Sequence, residues 1–380
     1  MICKVKMVTT IDVHKLMPQL LNWYDSHGRE LPWRIKPKGA LLSTYAACQL
    51  NKNPYFVWLS EIMLQQTTVK SVIPYYKNFI KKWPDIHSLS SASLDDVLAS
   101  WSGVGYYARG RNLHKCSQII SKELNGVFPS AEDELKKLPG IGPYTAAAIS
   151  AIAFGLPTIA VDGNVERVMA RIHAISEPLP KSRKKIFTLA SKFILHDRPG
   201  DFLQALMDLG ATVCTPRKPS CNICPWAKSC KAFLEHTPAN FPVKVPKLPI
   251  QQRYGYAFWT VKKDGAILLN RRAEKGLLGG MLEVPSIYEI PKNSIERTIK
   301  NFAPCSGKWV ELPGCVNHTF SHFRINMTIY TGKVDGRSIR QTNSWYRRDQ
   351  FSNLALPSLT KKIVKHVESF GQGTKVPIKT

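Results

Sequence analysis

Four cysteines lie within seventeen positions of the chain, in the string CTPRKPSCNICPWAKSC. Their spacing, C-x6-C-x2-C-x5-C, allows four thiolates to converge on one small centre. Such a donor set can enclose either a tetrahedral zinc ion or an iron–sulfur cluster, and the spacing does not choose between them. Because the other five cysteines are scattered, a metal site is a better interpretation than a disulfide framework. The clustered residues are Cys214, Cys221, Cys224 and Cys230.

A two-glycine turn joins two predicted helices in the string KKLPGIGPYTAA, residues 136–147. Gly140 and Gly142 allow backbone angles that side chains obstruct, so amide N–H groups and a helix amino terminus can face a phosphate. Such contacts supply affinity and register but no base specificity. The same turn is also an ordinary connection between helices, so by itself it does not establish a phosphate site.

Two carboxylates stand beside apolar runs. Glu61 lies in the helical string WLSEIMLQQT, where apolar neighbours such as Trp58 and Ile62 could raise its pKa and keep it a proton donor near neutrality. Asp162 follows an apolar run in AVDGNVERVMAR and precedes a helix, a position typical of a helix cap. A helical glutamate is more often a solvated surface residue. These strings alone therefore do not decide whether the two carboxylates are functional groups or ordinary surface and capping residues.

The net charge of the chain indicates which class of molecule it binds. Its 53 Lys and Arg residues outnumber its 27 Asp and Glu residues, which gives a formal net charge of +26. A folded protein tolerates such self-repulsion best when it works against a polyanion, and nucleic acid is the first candidate. No lipid signal or basic amphipathic helix indicates a membrane, and the apolar stretch 144–161 is broken by Gly155 and Pro157. The clustered cysteines favour a reducing, cytoplasmic location.

Two kinds of periodicity divide the chain. Up to Phe233 the apolar residues recur at helical spacing, and beyond Gln252 the spacing is near two. Between them lie four prolines, which favour a stiff tether. YAFWTV, the turn KKDG and AILLNRR predict a β-hairpin, RINMTIYTGKV a further strand, and SLTKKIVKHVESF a closing helix. The predicted parts are an all-α domain at 1–232, a linker at 233–252, an α+β domain at 253–370 and a tail at 371–380.

The cysteine spacing, downstream of LPGIGPYTAAAI, resembles that of the helix-hairpin-helix DNA glycosylases that carry a [4Fe–4S] cluster. Within that superfamily the chain is most similar to the MutY-type adenine glycosylases, from LNWYDSHGRELPWR onward. GLLGGMLEVP and NHTFSHF resemble the MutT/Nudix-like domain of that family. The resemblance implies a [4Fe–4S] cluster in the loop 214–230. It also implies base-excision repair, in which adenine mispaired with 8-oxoguanine or guanine is removed from double-stranded DNA.

The resemblance also assigns catalytic roles. A DNA glycosylase must extrude its target base, protonate it and stabilise the sugar cation that is left. The family's catalytic glutamate falls on Glu61 and its stabilising carboxylate on Asp162, with Asn164 assisting. Related lyases of the endonuclease III type have a Schiff-base lysine where this chain has Tyr144, so a monofunctional enzyme is implied, in which Tyr144 could line the pocket and support the sugar cation. The alternatives are such a lyase, acting on oxidised pyrimidines, and a non-catalytic DNA-binding protein.

Other residues match positions that contact bases in the family. Arg34, in LPWR, matches a position that contacts the extruded adenine. Gln65 and, in GVGYYAR, Val104 and Tyr106 resemble residues that wedge into the duplex around the opposite base. A loop in the second domain would read 8-oxoguanine, with its serine placed to hydrogen-bond the oxidised base; its residues are Phe320, Ser321 and His322.

Two features depart from the family pattern. A segment from Pro37 to Leu50 looks inserted after the LPWR string, and it is expected to be tolerated because long loop insertions cost little. The second domain lacks the clustered glutamates with which Nudix hydrolases bind magnesium, so a binding surface is expected there and pyrophosphatase activity is not. The chain is expected to act as a monomer associated with the nucleoid.

Overall fold

The computed structural model describes residues 11–35, 53–246, 249–289, 302–305, 307–334 and 343–370. The suspected insertion and the predicted tail lie outside these residues. The chain forms two compact units, each discontinuous in sequence. The helical unit comprises Met1–Ser90 and Lys115–Lys247, and the sheet unit comprises Ser91–His114 and Leu248–Thr380. The sequence predicts one boundary in the proline-rich segment, whereas the contacts also assign Ser91–His114 to the sheet unit.

Helices predominate among the described residues that precede the sheet. They are α1 (Val13–His27), α2 (Pro54–Leu64), α3 (Val69–Lys82), α4 (Ile86–Ser91), α5 (Leu94–Trp101), α6 (Ala108–Lys122), α7 (Glu132–Leu135), α8 (Pro143–Phe154), α9 (Gly163–Ile172), α10 (Arg183–Ala190), α11 (Pro199–Asp208) and α12 (Lys231–Leu234). A π-helical turn, Leu209–Val213, continues α11 toward the cysteine loop. Among the described residues, no helix has the length and apolar character needed to cross a membrane.

Helices α2 and α8 form the centre of the helical unit. The Asn53 side chain accepts the N–H of Tyr55 at 2.9 Å, and Pro54 fills the first helical position, where its missing N–H costs nothing. Most of α2 is buried, and it packs against the Ala-rich, buried α8. This packing holds Glu61 of α2 and Tyr144 of α8 in place.

The sheet unit is built on one mixed sheet. Its strands are β1 (Gln251–Lys262), β2 (Ile267–Arg271), β3 (Leu282–Glu283), β4 (Ser286–Ile287), β5 (Trp309–Glu311), β6 (Val316–Thr319), β7 (Phe323–Val334) and β8 (Asn343–Tyr346), and α13 (Ser358–Glu368) follows them. The main order is β3-β2-β1-β7-β5. Strands β1 and β7 pair in parallel over their whole length, and the other pairs are antiparallel. Apolar residues of the sheet and of α13 form one core.

The predicted α+β character of the second part is confirmed in its details. The β1–β2 hairpin turns at Gly265, whose φ of 82° is in the left-handed region that favours glycine. RINMTIYTGKV lies in β7, and SLTKKIVKHVE forms α13. The parallel pairing of β1 with β7 was not predicted, because the local pattern of apolar residues does not show which distant strand a strand pairs with.

The proline-rich segment is not a free tether along its whole length. Leu179 donates its N–H to the carbonyl of Val243 at 2.9 Å, and Arg171 donates to the carbonyl of Phe241 at 3.0 Å. These contacts fix the first half of the predicted linker to the helical unit. The sequence could not indicate this, since the partners lie some distance away along the chain.

Side chains fix Ser91–His114 within the sheet unit. Arg271 of β2 makes a bidentate ion pair with Asp95, with distances of 2.8 and 2.9 Å. The Ser102 hydroxyl donates to the carbonyl of Leu356 at 2.6 Å. The loop between α5 and α6, which carries Val104 and Tyr106, is therefore held by the sheet unit.

Gly255 marks the most crowded point of β1. A Cβ atom at this position would approach Met327 Sδ to 2.6 Å and would also meet the carbonyl oxygen of Ile287. Overpacking of this kind costs about 1–3 kcal/mol. We expect Gly255→Ala to lower the free energy of unfolding by that amount in urea titrations followed by circular dichroism. Gly307→Ala is the control, because its Cβ would meet neighbours only at 3.7 and 3.8 Å; equal stability of the two variants would contradict the prediction.

Candidate active site

One cavity of the helical unit brings together six of the residues singled out in the sequence. Its volume is about 860 Å³, and it opens between the amino-terminal ends of α8 and α9 and the carboxyl-terminal end of α2. The six residues are Arg34, Glu61, Gln65, Tyr144, Asp162 and Asn164. They come from four separated stretches of the chain, so the grouping is a product of the fold.

Glu61 is the buried acid of this cavity, with a relative exposure of only 6%. Its pKa is raised to about 7, chiefly because burial disfavours the charged form, and the negative charge of Asp162 contributes to the rise. A hydrogen bond from the Tyr144 phenol and the positive charge of Arg34 partly oppose this rise. The pKa of Tyr144 itself lies well above its usual value, chiefly because of burial, so the phenol keeps its proton and donates. Near neutral pH, Glu61 can therefore both give and take a proton.

Asp162 caps helix α9 and lines the same cavity. Its Oδ1 accepts the N–H groups of Asn164 and Val165 at 2.9 and 2.7 Å, and its Oδ2 accepts the Asn164 amide at 2.7 Å. The cap expected from the sequence is therefore present, and it also holds a carboxylate at the cavity wall. The two carboxyl groups have different surroundings: Glu61 receives one phenol, whereas Asp162 receives three N–H donors.

Arg34 belongs to a buried ion-pair network that the sequence did not reveal. Its Nη1 lies 2.8 Å from both carboxylate oxygens of Asp208, whose side chain is fully buried. Arg29 adds its backbone N–H at 2.8 Å and its Nε at 2.7 Å to the same carboxylate. Arg29 and Arg34 both line the cavity. The one available signal was Asp208 itself, an acidic residue among the apolar residues of the helix string FLQALMDLG.

The two glutamines after α2 have different surroundings. Gln65 donates its amide to the carbonyl of Gly140 at 3.3 Å and to Thr145 Oγ1 at 3.1 Å, which ties the end of α2 to the glycine turn. Gln66 is exposed, lines the cavity and has a left-handed φ of 57°. The sequence analysis singled out Gln65 and passed over Gln66, whose backbone conformation could not be read from its neighbours.

The glycine turn needs a correction at one of its two positions. Gly140 has φ 82° and uses the conformation expected of a glycine. Gly142, the residue before α8, has φ −90° and ψ 177°, which any residue adopts, so the backbone argument made for it is wrong. A Cβ on Gly142 would meet nothing within 4 Å. What Gly142 provides is open space in front of a helix amino terminus, where the first N–H groups lack partners.

The four clustered cysteines line one small void beside α9, together with Arg171. Arg171 is almost fully buried and donates to the carbonyls of Cys214 at 3.2 Å, Thr215 at 2.7 Å and Pro216 at 2.9 Å. Its Nη1 also lies 3.2 Å from the Cys214 sulfur. One turn earlier, Arg167 donates to the same Cys214 carbonyl at 2.7 Å and to Asn164 Oδ1 at 2.9 Å. Helix α9 therefore links the cysteine loop to the Asp162 cap.

The remaining predicted site residues belong to the sheet unit. Val104 is buried, whereas the Tyr106 side chain is 45% exposed. Phe320 is partly buried and packs on the core of the sheet, with its ring centroid 4.7 Å from that of Phe323. Ser321 and His322 are exposed. A side chain that enters the duplex must be accessible, a condition that Tyr106 meets and that Val104 does not.

Comparisons with known proteins identify the family. Residues 59–193 match the HhH-GPD superfamily base excision DNA repair protein, and residues 256–366 match the NUDIX domain. The chain is 35% identical to the adenine DNA glycosylase of Rattus norvegicus in an alignment 419 positions long, gaps included, which covers 96% of this chain and 80% of that protein. This chain belongs to the adenine DNA glycosylase family.

Further matches extend over both units. The adenine DNA glycosylase of Buchnera aphidicola subsp. Baizongia pistaciae (strain Bp) is 35% identical in an alignment 356 positions long, which covers 92% of this chain and 96% of that protein. A solved thermostable thymine-DNA glycosylase is 26% identical with a TM-score of 0.51, and the match covers 59% of this chain and 97% of that chain. The family resemblance and the two-part fold class that the sequence predicted are confirmed.

The buried acid of this glycosylase should make stability depend on pH. In the unfolded chain Glu61 ionises near pH 4.5, and in the folded protein near pH 7. Below pH 4.5 both states are protonated, whereas between these values the unfolded state loses its proton first and the fold is progressively disfavoured. Above pH 7 the penalty is complete. We expect Glu61→Gln to be more stable than the parent by about 1–3 kcal/mol at pH 8 and nearly equal at pH 4.5.

Urea unfolding of the parent and of Glu61→Gln across pH 4.5 to 8 tests this expectation. Glu177→Gln, at an exposed position of the same unit, is the matched control. A difference between parent and Glu61→Gln that did not change with pH would show that Glu61 is not the group responsible.

Proposed function

We propose that the protein is a monofunctional glycosylase that hydrolyses the N-glycosidic bond of adenine opposite 8-oxoguanine, and less efficiently opposite guanine, in double-stranded DNA. The observation that carries the proposal is Glu61, a buried acid with a pKa of about 7 that faces Asp162 across one cavity. The volume of about 860 Å³ is ample for one extruded nucleotide. Membership of the adenine DNA glycosylase family supports adenine as the base.

The two carboxyl groups divide the chemistry. Glu61 gives its proton to N7 of adenine, and the bond between the base and the sugar then breaks with both electrons leaving on adenine. The Asp162 carboxylate, held by its three N–H donors, stabilises the cationic sugar. Glu61, now ionised, takes a proton from water as that water adds to the sugar carbon. The products are adenine and an abasic site, and Glu61 is again protonated.

The wall beside Glu61 suits recognition of the adenine edge. We propose that Arg34 contacts the extruded base and that Asp208, which bonds both Arg34 and Arg29, holds the two guanidinium groups in position. The fully buried Asp208 carboxylate and its charged donors cannot easily move, because separating them would leave a charge unpaired in the interior.

The cysteine loop suits a [4Fe–4S] cluster. The four sulfurs line one void, and Arg171 beside them would offset negative charge on thiolate ligands. Membership of the adenine DNA glycosylase family supports an iron–sulfur cluster over a single zinc ion at these four sulfurs. Bound there, the cluster would cross-link the loop, whose exposed Arg217, Lys218 and Lys228 suit contact with DNA phosphates.

DNA binding of the whole chain follows from charge and from the glycine turn. The net charge of +26 and the open space before α8 support contacts with the phosphate backbone.

We further propose that Gln65 and Tyr106 act at the base pair from which adenine leaves, with Val104 supporting Tyr106 from its buried position. The loop Phe320–His322 would read the opposite base. We also propose that the protein works as a monomer in the reducing, nucleoid-containing cytoplasm, where thiols that serve as cluster ligands stay reduced.

Adenine release in single turnover tests the proposed activity. The parent should release adenine from duplexes with adenine opposite 8-oxoguanine, more slowly opposite guanine, and it should not act on thymine glycol. The rate should fall as pH rises through about 7, because the general acid loses its proton. Glu61→Gln should be slower by at least about a hundredfold, the lower range for general acid catalysis. Release of adenine by Glu61→Gln at the parental rate would contradict the proposed role.

The same reaction tests whether the enzyme stops at the abasic site. Strand breaks should form only after alkali, and borohydride should trap no covalent complex, because Tyr144 cannot form a Schiff base. Lys70 lies exposed at the rim of the cavity. If trapping occurs in the parent and disappears in Lys70→Ala, the monofunctional assignment is wrong.

Metal analysis tests the cofactor. The purified protein should contain about four iron and four sulfide per chain and little zinc, with a broad visible absorption band. Cys224→Ser should lose iron, whereas Cys315→Ser, at an exposed position of the sheet unit, should retain it. One zinc per chain without sulfide would contradict the proposed cluster.

A further inference from the structure

One wall of the cavity that holds Glu61 is the start of helix α3. Residues 66–70 all line the cavity, and the helix begins within this segment. Thr68 is the cap of the helix, and its side-chain oxygen accepts the N–H of Ser71 at 3.4 Å. The cap fixes the first turn of α3. Lys70 lies in that turn, is exposed and lines the cavity, so it stands at the mouth.

Among the described residues, four cationic side chains line this cavity. Arg29 and Arg34 are bound to the Asp208 carboxylate. Arg167 donates to three backbone carbonyls and to one side-chain amide oxygen. The fourth is Lys70, whose ammonium has no hydrogen bond or ion pair with the rest of the described chain. It is therefore the cation of this cavity that is available to a ligand.

The position of Lys70 is unfavourable for the helix itself. The first turn of a helix carries a partial positive charge, and α3 has no acidic residue there that would offset a lysine. Lys81 and Lys82, in the last turn of the same helix, complement the helix dipole instead. A residue that breaks a local rule without a local gain is expected at a functional site. The charge at position 70 therefore indicates an anionic ligand.

An extruded nucleotide brings such an anion to the cavity. It enters together with the phosphate groups on either side of its sugar, and each of them carries a negative charge. The Asp162 carboxylate at the cavity wall repels these phosphates. The Lys70 ammonium can approach a phosphate without breaking a bond within the described chain, whereas the arginines of the cavity would leave buried acceptors unpaired.

We propose that the Lys70 ammonium binds a phosphate next to the extruded adenosine and thereby stabilises the extruded state. The inference rests on the proposed adenine glycosylase activity and adds a substrate-binding residue to it. Lys70 forms an ion pair with a phosphate oxygen and leaves the proton transfers to Glu61. A lysine suits this task because it acts on phosphate as a compact point charge on a long side chain.

Equilibrium binding tests the proposal one charge at a time. The probes are duplexes with a 2′-fluoro adenosine, which resists cleavage, opposite 8-oxoguanine. In two further duplexes, one or the other phosphate beside that nucleotide is replaced by an uncharged methylphosphonate. We expect Lys70→Ala to bind the unmodified duplex about tenfold more weakly than the parent, the factor of one charge-assisted hydrogen bond. One of the two methylphosphonates should weaken the parent similarly and should leave Lys70→Ala unchanged.

Lys77→Ala is the matched control. Lys77 is exposed on the same helix, about 10 Å further along, and does not line the cavity. Both variants lose one positive charge, so a general loss of attraction to DNA appears in both. Only Lys70→Ala should reduce the salt dependence of the binding constant by about one unit of slope. Lys70→Arg keeps the charge and should restore binding.

Two results would overturn the inference. In the first, Lys70→Ala and Lys77→Ala bind all three duplexes alike. In the second, neither methylphosphonate abolishes the difference in affinity between Lys70→Ala and the parent. Because no abasic aldehyde forms on the 2′-fluoro duplex, a Schiff base with Lys70 cannot account for any difference in binding. Adenine release by the parent is measured separately: a parent that releases adenine while the two alanine variants bind alike overturns the role of Lys70 alone, whereas a parent that releases none overturns the proposed activity.

Discussion

Burial of the Glu61 carboxyl group is the constraint on which the site depends. A carboxylate in this interior would lose its hydration, so the proton is retained to a pKa of about 7. Nearby Asp162 receives three N–H donors at a helix start, surroundings that suit a carboxylate. Two side chains of the same chemical kind are thereby given different surroundings by the elements that pack around them, and the proposed division into proton donor and anion rests on that difference.

Four arginines that bond buried acceptors hold the parts of the helical unit in position around that pair. Asp208 joins the segment of Arg29 and Arg34 to the end of α11, while Arg167 and Arg171 join α9 to the cysteine loop. Arg29 and Arg34 share the one buried Asp208 carboxylate, whereas Arg167 and Arg171 each satisfy several acceptors, most of them backbone carbonyls that would otherwise lack partners. The irregular segments next to the cavity therefore have fixed positions without regular secondary structure of their own.

The sequence predicted elements better than it predicted their partners. Local patterns identified the helices, the β1–β2 hairpin, α13 and the carboxylates in apolar strings, because periodicity and turn residues are local properties. The parallel pairing of β1 with β7, the assignment of Ser91–His114 to the sheet unit and the attachment of Val243 to the helical unit all join residues distant along the chain. The backbone argument for Gly142 was wrong for a related reason. Its backbone angles are ordinary, and the open space around it depends on how other segments pack.

By itself, the sequence determined the kinds of chemistry available to this protein: four clustered thiols, a glutamate among apolar neighbours, an aspartate before a helix and a large positive charge. Only the tertiary structure decided which of these groups meet. The pKa of Glu61 depends on burial beneath α8 and on the charges of Asp162 and Arg34, none of which is adjacent to it in sequence. The Asp208 network and the bond between Tyr106 and Ser321 likewise exist only once distant segments pack together, because desolvation and hydrogen bonding depend on distance in space.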